Sequence, residues 1–214
     1  TRLVSDWSSD VCSSDLLLEN TLVILTSDNG PVLNDGYYDD AVEKVGDHDP
    51  KGGLRGGKYS LFEAGTRVPF MVYWKGKIQP AVSDALVSQL DFYNSLANFI
   101  GVDTSLPDGV NLMDVFLGKT TQGRESLVIE AGGRTAFRQG DWAMIPPYKG
   151  VAVNAQVNIE LGNDSTFQLY NLKDDLAQQD NLAELNPQKL AEMIKAFEAI
   201  RGKIDTDVPE LELK

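Results

Sequence analysis

The amino-acid sequence predicts an α/β domain that continues into a smaller α+β subdomain. A short, β-branched apolar run at 21–26 ends in Ser-Asp-Asn-Gly-Pro, a pattern typical of a buried strand in a mostly parallel sheet with flanking helices. After Arg124, short apolar segments separated by Gly-Gly and Gly-Asp turns indicate an antiparallel sheet. An amphipathic segment that begins at Pro187 indicates a C-terminal helix.

The individual elements follow from local spacing. A second strand is expected at 68–74, after a long loop without periodicity at 32–57. A helix that ends at Gly101 is expected to pack an apolar stripe into the core, formed by Leu86, Leu90, Tyr93, Leu96, Ala97 and Ile100. Short strands are expected at 126–131, 135–139, 142–145 and 167–172. The last helix, between Asn186 and Gly202, is expected to bury one face, formed by Leu190, Met193, Ile194, Phe197 and Ile200.

The first residues differ in character from the rest of the chain. Residues 6–16 repeat Ser-Ser-Asp and have no apolar period, and their order matches the in-frame translation of a common sequencing-adapter oligonucleotide. We therefore interpret residues 1–16 as an artefactual or disordered leader, and we do not read Cys12 as a catalytic thiol. The remaining chain is predicted to divide into the end of an α/β domain at 17–123 and an α+β subdomain at 124–214.

Composition excludes several classes of partner. The 214 residues carry a net charge of -13, and phosphate binding needs clustered Lys and Arg, so no nucleic acid partner is expected. The longest apolar runs are too short to cross a bilayer, so no membrane partner is expected either. An anionic substrate would need a local basic pocket, because the overall field repels it.

Two segments carry residues that are suited to ligand binding. Asp28 and Asn29 follow the first strand, and their hard oxygen atoms suit calcium or magnesium, although an ordinary Asx turn has the same sequence. The second segment places Lys51, Arg55 and Lys58 within a glycine-rich stretch of an otherwise acidic chain. This stretch predicts an anion site, and a mobile solvated loop is the alternative.

A phosphate-binding P-loop is a competing interpretation of the second segment. Residues 52–58 match its G-x-x-x-x-G-K pattern. Tyr59 stands where that motif requires Ser or Thr, and the polar stretch at 43–49 is unlike the buried strand that enters such a loop. We therefore consider a P-loop the less favoured interpretation of this segment.

These segments, in their order, resemble the signature regions of the formylglycine-dependent sulfatases of the alkaline-phosphatase superfamily. Segment 22–31 is similar to the region that supplies two calcium ligands, and segment 54–69 is similar to the second signature region. Segments 82–91 and 169–182 resemble later parts of the same fold. The resemblance implies the C-terminal end of an alkaline-phosphatase-like sandwich, followed by that family's small C-terminal subdomain.

The resemblance also implies roles for individual residues. Asp28 and Asn29 match Ca²⁺ ligands, and Lys58 matches a lysine that contacts the sulfate and stabilises its charge. Arg55 and His48 are weaker candidates for substrate binding, and Arg55 is equally a candidate for orienting Asp28.

Arg67 is expected to brace the loop by pairing with a carboxylate such as Glu63. The long loop at 32–51 is expected to shape selectivity, and a sulfated small molecule or carbohydrate is the expected substrate. The family resemblance further implies a periplasmic or secreted location.

The nucleophile of such an enzyme is not present in this sequence. The Cys- or Ser-x-Pro-x-Arg signature, whose first residue becomes formylglycine, has no match. Calcium takes six to eight oxygen ligands, which two residues do not supply. We therefore expect the gene to continue upstream, the missing N-terminal half of the same enzyme to be a partner, and this chain alone to be inactive.

Two alternatives remain open. A phosphatase or phosphodiesterase of the same superfamily would use several histidines to bind two zinc ions. His48 is the only histidine in the sequence, which disfavours this alternative. A non-catalytic carbohydrate-binding module would use exposed aromatic side chains, for which Tyr37, Tyr38 and Tyr148 are candidates.

Overall fold

The computed structural model describes residues 17–103 and 106–202, so the predictions for 1–16, including Cys12, lie outside the described part. After a 3-10 turn at Leu18–Asn20, its helices are α1 (Ala41–Lys44), α2 (Glu63–Thr66), α3 (Asp91–Phe99), α4 (Met113–Phe116) and α5 (Pro187–Arg201). Its strands are β1 (Val23–Thr26), β2 (Phe70–Tyr73), β3 (Ser126–Ala131), β4 (Arg134–Gln139), β5 (Trp142–Ile145), β6 (Val153–Asn154), β7 (Ile159–Glu160) and β8 (Gln168–Asn171). None of the helices in this part of the chain is both long enough and apolar enough to cross a bilayer.

The chain divides into two compact units. The first contains the chain up to Thr26 together with Pro69–Glu125, and the second contains Ser27–Val68 together with the chain from Ser126. One boundary, at Glu125, lies close to the predicted division after residue 123. The long segment Ser27–Val68 groups with the C-terminal part, whereas the sequence division assigns it to the first part. The division into domains at 17–123 and 124–214 stays a prediction.

In the first unit, β1 and β2 form an antiparallel pair in which Val23 lies opposite Tyr73 and Thr26 lies opposite Phe70. The mixed α/β class is therefore confirmed, but every strand pairing in the described ranges is antiparallel, and the expected mostly parallel sheet is not among them. A parallel pair needs a crossover that returns the chain to the starting end of the sheet, whereas the segment between β1 and β2 brings the chain back in the opposite direction.

Helix α3 buries a polar face instead of the predicted apolar stripe. Asp91, Asn94 and Ser95 are buried, while Leu90, Tyr93, Leu96 and Ile100 of the predicted stripe are exposed. Asp91 binds the Arg124 guanidinium and the Val110 amide, and the Asn94 side chain bonds the backbone of 106–109. The prediction that the stripe packs into the core is wrong within this unit, because these hydrogen bonds satisfy the polar face and allow its burial.

In the second unit, β3, β4, β5 and β8 form one antiparallel sheet in the order β3-β4-β5-β8, as predicted. Residues alternate between its two faces. One face packs against α5, where Met193 and Phe197 are fully buried, although Ile200 of the predicted face is exposed. On the other face, Leu61 and Phe62 join the cluster that contains Tyr170. The sheet thereby anchors the segment that follows Lys58.

Candidate functional site

The two predicted motifs are joined through their backbones. The Gly30 amide donates to the Gly65 carbonyl at 2.8 Å, and the Lys58 amide donates to the Pro31 carbonyl at 3.0 Å. Glycine is required at this junction, since a Cβ on Gly30 would lie 1.7 Å from the Ala64 carbonyl oxygen. The turn that carries Asp28 and Asn29 is thus held against the segment that carries Lys58, although the two lie about 30 residues apart in the sequence.

The oxygen atoms of the Asp28–Asn29 turn have few protein partners. Asp28 is exposed, and its carboxylate accepts a 3.4 Å hydrogen bond from the Ser27 hydroxyl. The Asn29 side-chain amide donates to the Gly30 carbonyl at 2.9 Å, so its nitrogen is engaged. Within the described ranges, no residue donates to the Asn29 side-chain oxygen. A carboxylate and an amide oxygen therefore remain available to a hard cation.

The ammonium group of Lys58 is not paired with a carboxylate among the described residues. Its Nζ lies 5.5 Å from the centroid of the Tyr59 ring, and it forms no ion pair with a carboxylate in the described part of the chain. The side chain is half-buried, which strengthens its interaction with any anion that approaches. Sulfate binding by Lys58 stays a prediction.

Arg55, by contrast, is occupied by protein groups. Its Nε donates to Glu160 at 2.7 Å, its Nη1 donates to the Gln178 carbonyl at 2.9 Å, and its guanidinium lies 4.0 Å from the Phe62 ring centroid. Burial lowers the pKa of Arg55, but Glu160 and Tyr170 raise that pKa above its ordinary range overall. Substrate binding by Arg55 stays a prediction, and it would have to compete with these contacts.

Glu63 is the buried centre of a second set of charges. Its carboxylate binds Arg67 and, at 3.3 Å, Arg138. Its backbone amide donates to the Gln178 side chain at 2.7 Å. The expectation that Arg67 braces the loop through Glu63 is confirmed by this ion pair.

The sequence-based reasoning missed three partners of the loop, namely Glu160, Gln178 and Arg138. They lie 105, 123 and 75 residues from the loop residues that they contact. None of them belongs to a motif, and no signal in the sequence marks them. They fix the backbone on both sides of Lys58, at Arg55 and at Glu63.

The remaining candidates have no shared site in the structure. His48 is exposed, and its amide donates to the Val45 carbonyl at 3.2 Å, so its role in substrate binding stays a prediction. Tyr37 and Tyr38 are exposed as expected. Tyr148 is not, because its hydroxyl bonds the Thr135 backbone and side chain, which makes it a packing residue.

Comparison with known proteins identifies the family of this chain. Residues 13–102 match the family model described as Sulfatase. The N-acetylgalactosamine-6-O-sulfatase of Bacteroides thetaiotaomicron is 40% identical over 206 residues, which cover 92% of this chain and 40% of that relative. The chain belongs to the sulfatase family. Human arylsulfatase A is also similar, with 37% identity over 136 residues, which cover 59% of this chain and 25% of that protein.

Solved structures support the fold of this sulfatase chain. A Bacteroides thetaiotaomicron structure described under the metabolism of multiple glycosaminoglycans superposes with a TM-score of 0.86 at 38% identity, covering 92% of this chain and 42% of that one. A sulfatase from Pseudoalteromonas sp. superposes with a TM-score of 0.71 at 23% identity, covering 95% of this chain and 42% of that one, and this likeness concerns the fold alone. The sulfatase chain spans about two fifths of the length of these relatives.

The metal donors of this sulfatase chain are limited. In residues 17–103 and 106–202, no group of three or more His, Cys, Asp or Glu side chains is arranged to hold a metal ion. The Asp28 and Asn29 oxygens fit calcium in chemical type, since calcium prefers carboxylate and carbonyl oxygens. Two such oxygens are fewer than the six to eight that calcium takes, and the assignment of Asp28 and Asn29 as calcium ligands stays a prediction.

Proposed function

We propose that this chain supplies the calcium- and sulfate-binding part of an enzyme that hydrolyses a sulfate monoester on a carbohydrate. The observation that carries the proposal is the backbone junction between the Asp28–Asn29 turn and the Lys58 segment. It holds the turn that carries two oxygens of the type that hard cations prefer against the segment that carries Lys58, whose ammonium group has no ion pair in the described ranges. The 40% identical relative acts on 6-O-sulfated N-acetylgalactosamine by name, and we propose a 6-sulfated amino sugar as the substrate here.

In this proposal, Asp28 and Asn29 bind Ca²⁺ through their side-chain oxygens. The bound ion would supply positive charge to the oxygens of the sulfate ester. Lys58 would donate hydrogen bonds to the same group and stabilise the negative charge that develops on it as the ester bond breaks. The Pro31 carbonyl accepts from the Lys58 amide, so the backbone from which the Lys58 side chain extends is fixed before the substrate binds.

The formylglycine nucleophile would come from the preceding part of the same enzyme. Two apolar surfaces of the first unit support such a partner. Val23 and Leu25 of β1, opposite Tyr73 and Met71 of β2, are exposed on one face of that sheet. The apolar stripe of α3 is exposed as well. Apolar surfaces of this kind mark interaction sites. A periplasmic or secreted location of the enzyme is part of the proposal.

Calcium binding gives the first test. In a complete enzyme that joins this chain to the preceding part of the fold, calcium should raise the melting temperature, and Asp28→Ala should abolish that rise. Asp84→Ala, which removes an exposed carboxylate, is the matched control and should leave the rise intact. Calcium stabilisation that survives in Asp28→Ala would contradict the assignment of this residue.

Turnover gives the second test. The complete enzyme should hydrolyse a 6-sulfated amino sugar and not the matching phosphate ester, whereas the 214-residue chain alone should hydrolyse neither. Sulfatase activity of the purified chain would contradict the proposal that the nucleophile lies elsewhere. Preference for the phosphate ester would favour the phosphatase alternative, and sugar binding without turnover would favour a binding module.

A further inference from the structure

Arg134 differs from the other arginines between residues 17 and 200 because it has no carboxylate partner. The others in the described part of this range are paired: Arg55 with Glu160, Arg67 and Arg138 with Glu63, and Arg124 with Asp91. Arg134 instead contacts two neutral oxygens. Its Nη1 donates to the Asn163 side chain, and its Nη2 donates to the Tyr59 carbonyl at 3.4 Å.

The environment of Arg134 makes this lack of a partner costly. The residue begins β4 directly after the Gly132–Gly133 turn and is half-buried. Burial lowers the pKa of its guanidinium. A partly buried charge is normally paired, because burial removes its hydration. The chain is acidic overall, so carboxylates are plentiful, yet none in the described ranges pairs with this guanidinium. Two of its five N–H donors are used by the oxygens named above.

Tyr59 connects Arg134 with the proposed sulfate site. Its carbonyl accepts from Arg134, while its ring lies under the Lys58 ammonium. Its φ of 76° lies in the left-handed region, which is strained for a residue with a Cβ, and strained residues of this kind are enriched at ligand-binding sites. Tyr59 is 42% exposed, so part of this residue is accessible to a ligand that approaches Lys58 or Arg134.

We propose that Arg134, together with Tyr59, forms a second anion-binding subsite. It binds a second negative group of the substrate, a carboxylate or a second sulfate, on the sugar next to the sulfate ester held at Lys58. This inference rests on the proposed sulfatase function and names the substrate class of the same site as a saccharide with at least two negative groups. The guanidinium can donate two parallel hydrogen bonds to a pair of oxygens on a carboxylate or a sulfate. The Tyr59 ring offers an apolar surface to the sugar between the two groups.

The test compares substrates that differ only in their second group. In the complete enzyme, kcat/KM is measured for a 6-sulfated amino sugar alone and linked to a uronic acid. It is also measured with the uronic acid reduced to an uncharged sugar, and for a disaccharide with a second sulfate. Arg134→Gln should lower kcat/KM about tenfold for the doubly charged substrates, as loss of one charge-assisted contact predicts. For the monosaccharide and the reduced disaccharide the change should stay within about twofold.

Two further variants make the result specific. Arg134→Lys keeps the charge but loses the fork, and it should recover part of the activity on the doubly charged substrates. Arg201→Gln changes the net charge equally at an exposed helix end and should leave all four substrates unaffected. A loss limited to the uronic acid substrate would identify a carboxylate ligand, and a loss limited to the disulfated one would identify a sulfate.

Other outcomes would overturn the inference. If Arg134→Gln lowers kcat/KM equally for all four substrates, or leaves the doubly charged ones unchanged, Arg134 is not a second subsite. If the unaltered enzyme hydrolyses none of the four, the proposed function fails and this inference fails with it. Failure of the inference alone is distinguishable, because the unaltered enzyme then remains active on the monosaccharide.

Discussion

Five cations among the described residues of the second unit lie in segment 55–67 or contact it, and they form two groups that differ in their partners. The paired group, Arg55, Arg67 and Arg138, binds the carboxylates of Glu160 and Glu63. The unpaired group, Lys58 and Arg134, has no carboxylate partner in the described part of the chain. Lys58 nevertheless lies three residues from Arg55 in sequence, and Arg134 lies on the same strand as Arg138. Positively charged side chains in this region therefore differ in whether the protein itself neutralises them. The paired group fixes the loop, and we propose that the unpaired group binds the ligand.

The largest expected effect comes from the paired group. Glu63→Gln removes the buried carboxylate that binds Arg67 and Arg138, and it should lower the free energy of unfolding by about 3 kcal/mol because two cations lose their partner. The measurement is urea unfolding, with an unchanged slope and a lower midpoint. Glu19→Gln is the control, because it breaks an exposed pair with Lys75 and should have little effect. Equal midpoints for Glu63→Gln and the unaltered protein would contradict the bracing role.

The unpaired group should show the opposite behaviour. Lys58→Ala in the complete enzyme should lower kcat by about 10²- to 10³-fold, which is the usual loss for one donor to a developing negative charge. The melting temperature of the Lys58→Ala enzyme should equal that of the unaltered enzyme, since Lys58 forms no ion pair in the described part of the chain. Lys149→Ala, at an exposed position, should change neither quantity. A melting temperature that falls together with kcat in Lys58→Ala would place Lys58 with the paired cations.

The smallest expected effect concerns Glu160 and pH. The hydrogen bond from Arg55 holds the pKa of Glu160 below its ordinary value. A depressed folded-state pKa gives stability that is present above the unfolded pKa of about 4.3 and is lost as the pH falls through the folded value.

Glu160→Gln should therefore be less stable than the unaltered protein by about 1 kcal/mol or less at pH 7, because the Glu160 side chain is 46% exposed and screened by solvent. The difference should shrink in acid, as followed by urea unfolding at pH 7 and pH 3. A difference that is constant across this range would mean that the pair contributes through packing and not through charge.

The two helices with predicted faces show how far the sequence predicts the fold. The apolar spacing of α5 correctly predicts that Met193 and Phe197 are buried. The same kind of spacing in α3 predicts the wrong face, because Asp91 is buried through its pairing with Arg124, 33 residues away. Apolar periodicity reports which face is favourable to bury. It does not report whether distant groups satisfy the polar face.

The candidate site shows the same limit. Asp28, Asn29 and Lys58 lie in short motifs whose glycine and turn residues constrain the backbone locally, and the resemblance to sulfatases predicts their roles from these motifs. Glu160 and Gln178 were not identified, since each contributes one contact from a distant segment without a motif. Local backbone requirements leave a pattern in the sequence, whereas single long-range contacts leave none.

The most direct test of the sulfate site is a crystal structure of the complete enzyme with calcium and a non-hydrolysable analogue of a sulfate ester. The account predicts that Lys58 Nζ lies within hydrogen-bond distance of a sulfate oxygen, while Asp28 and Asn29 oxygens coordinate the calcium ion. A sulfate group bound away from Lys58, or a calcium ion without the Asp28 carboxylate in its shell, would contradict the account.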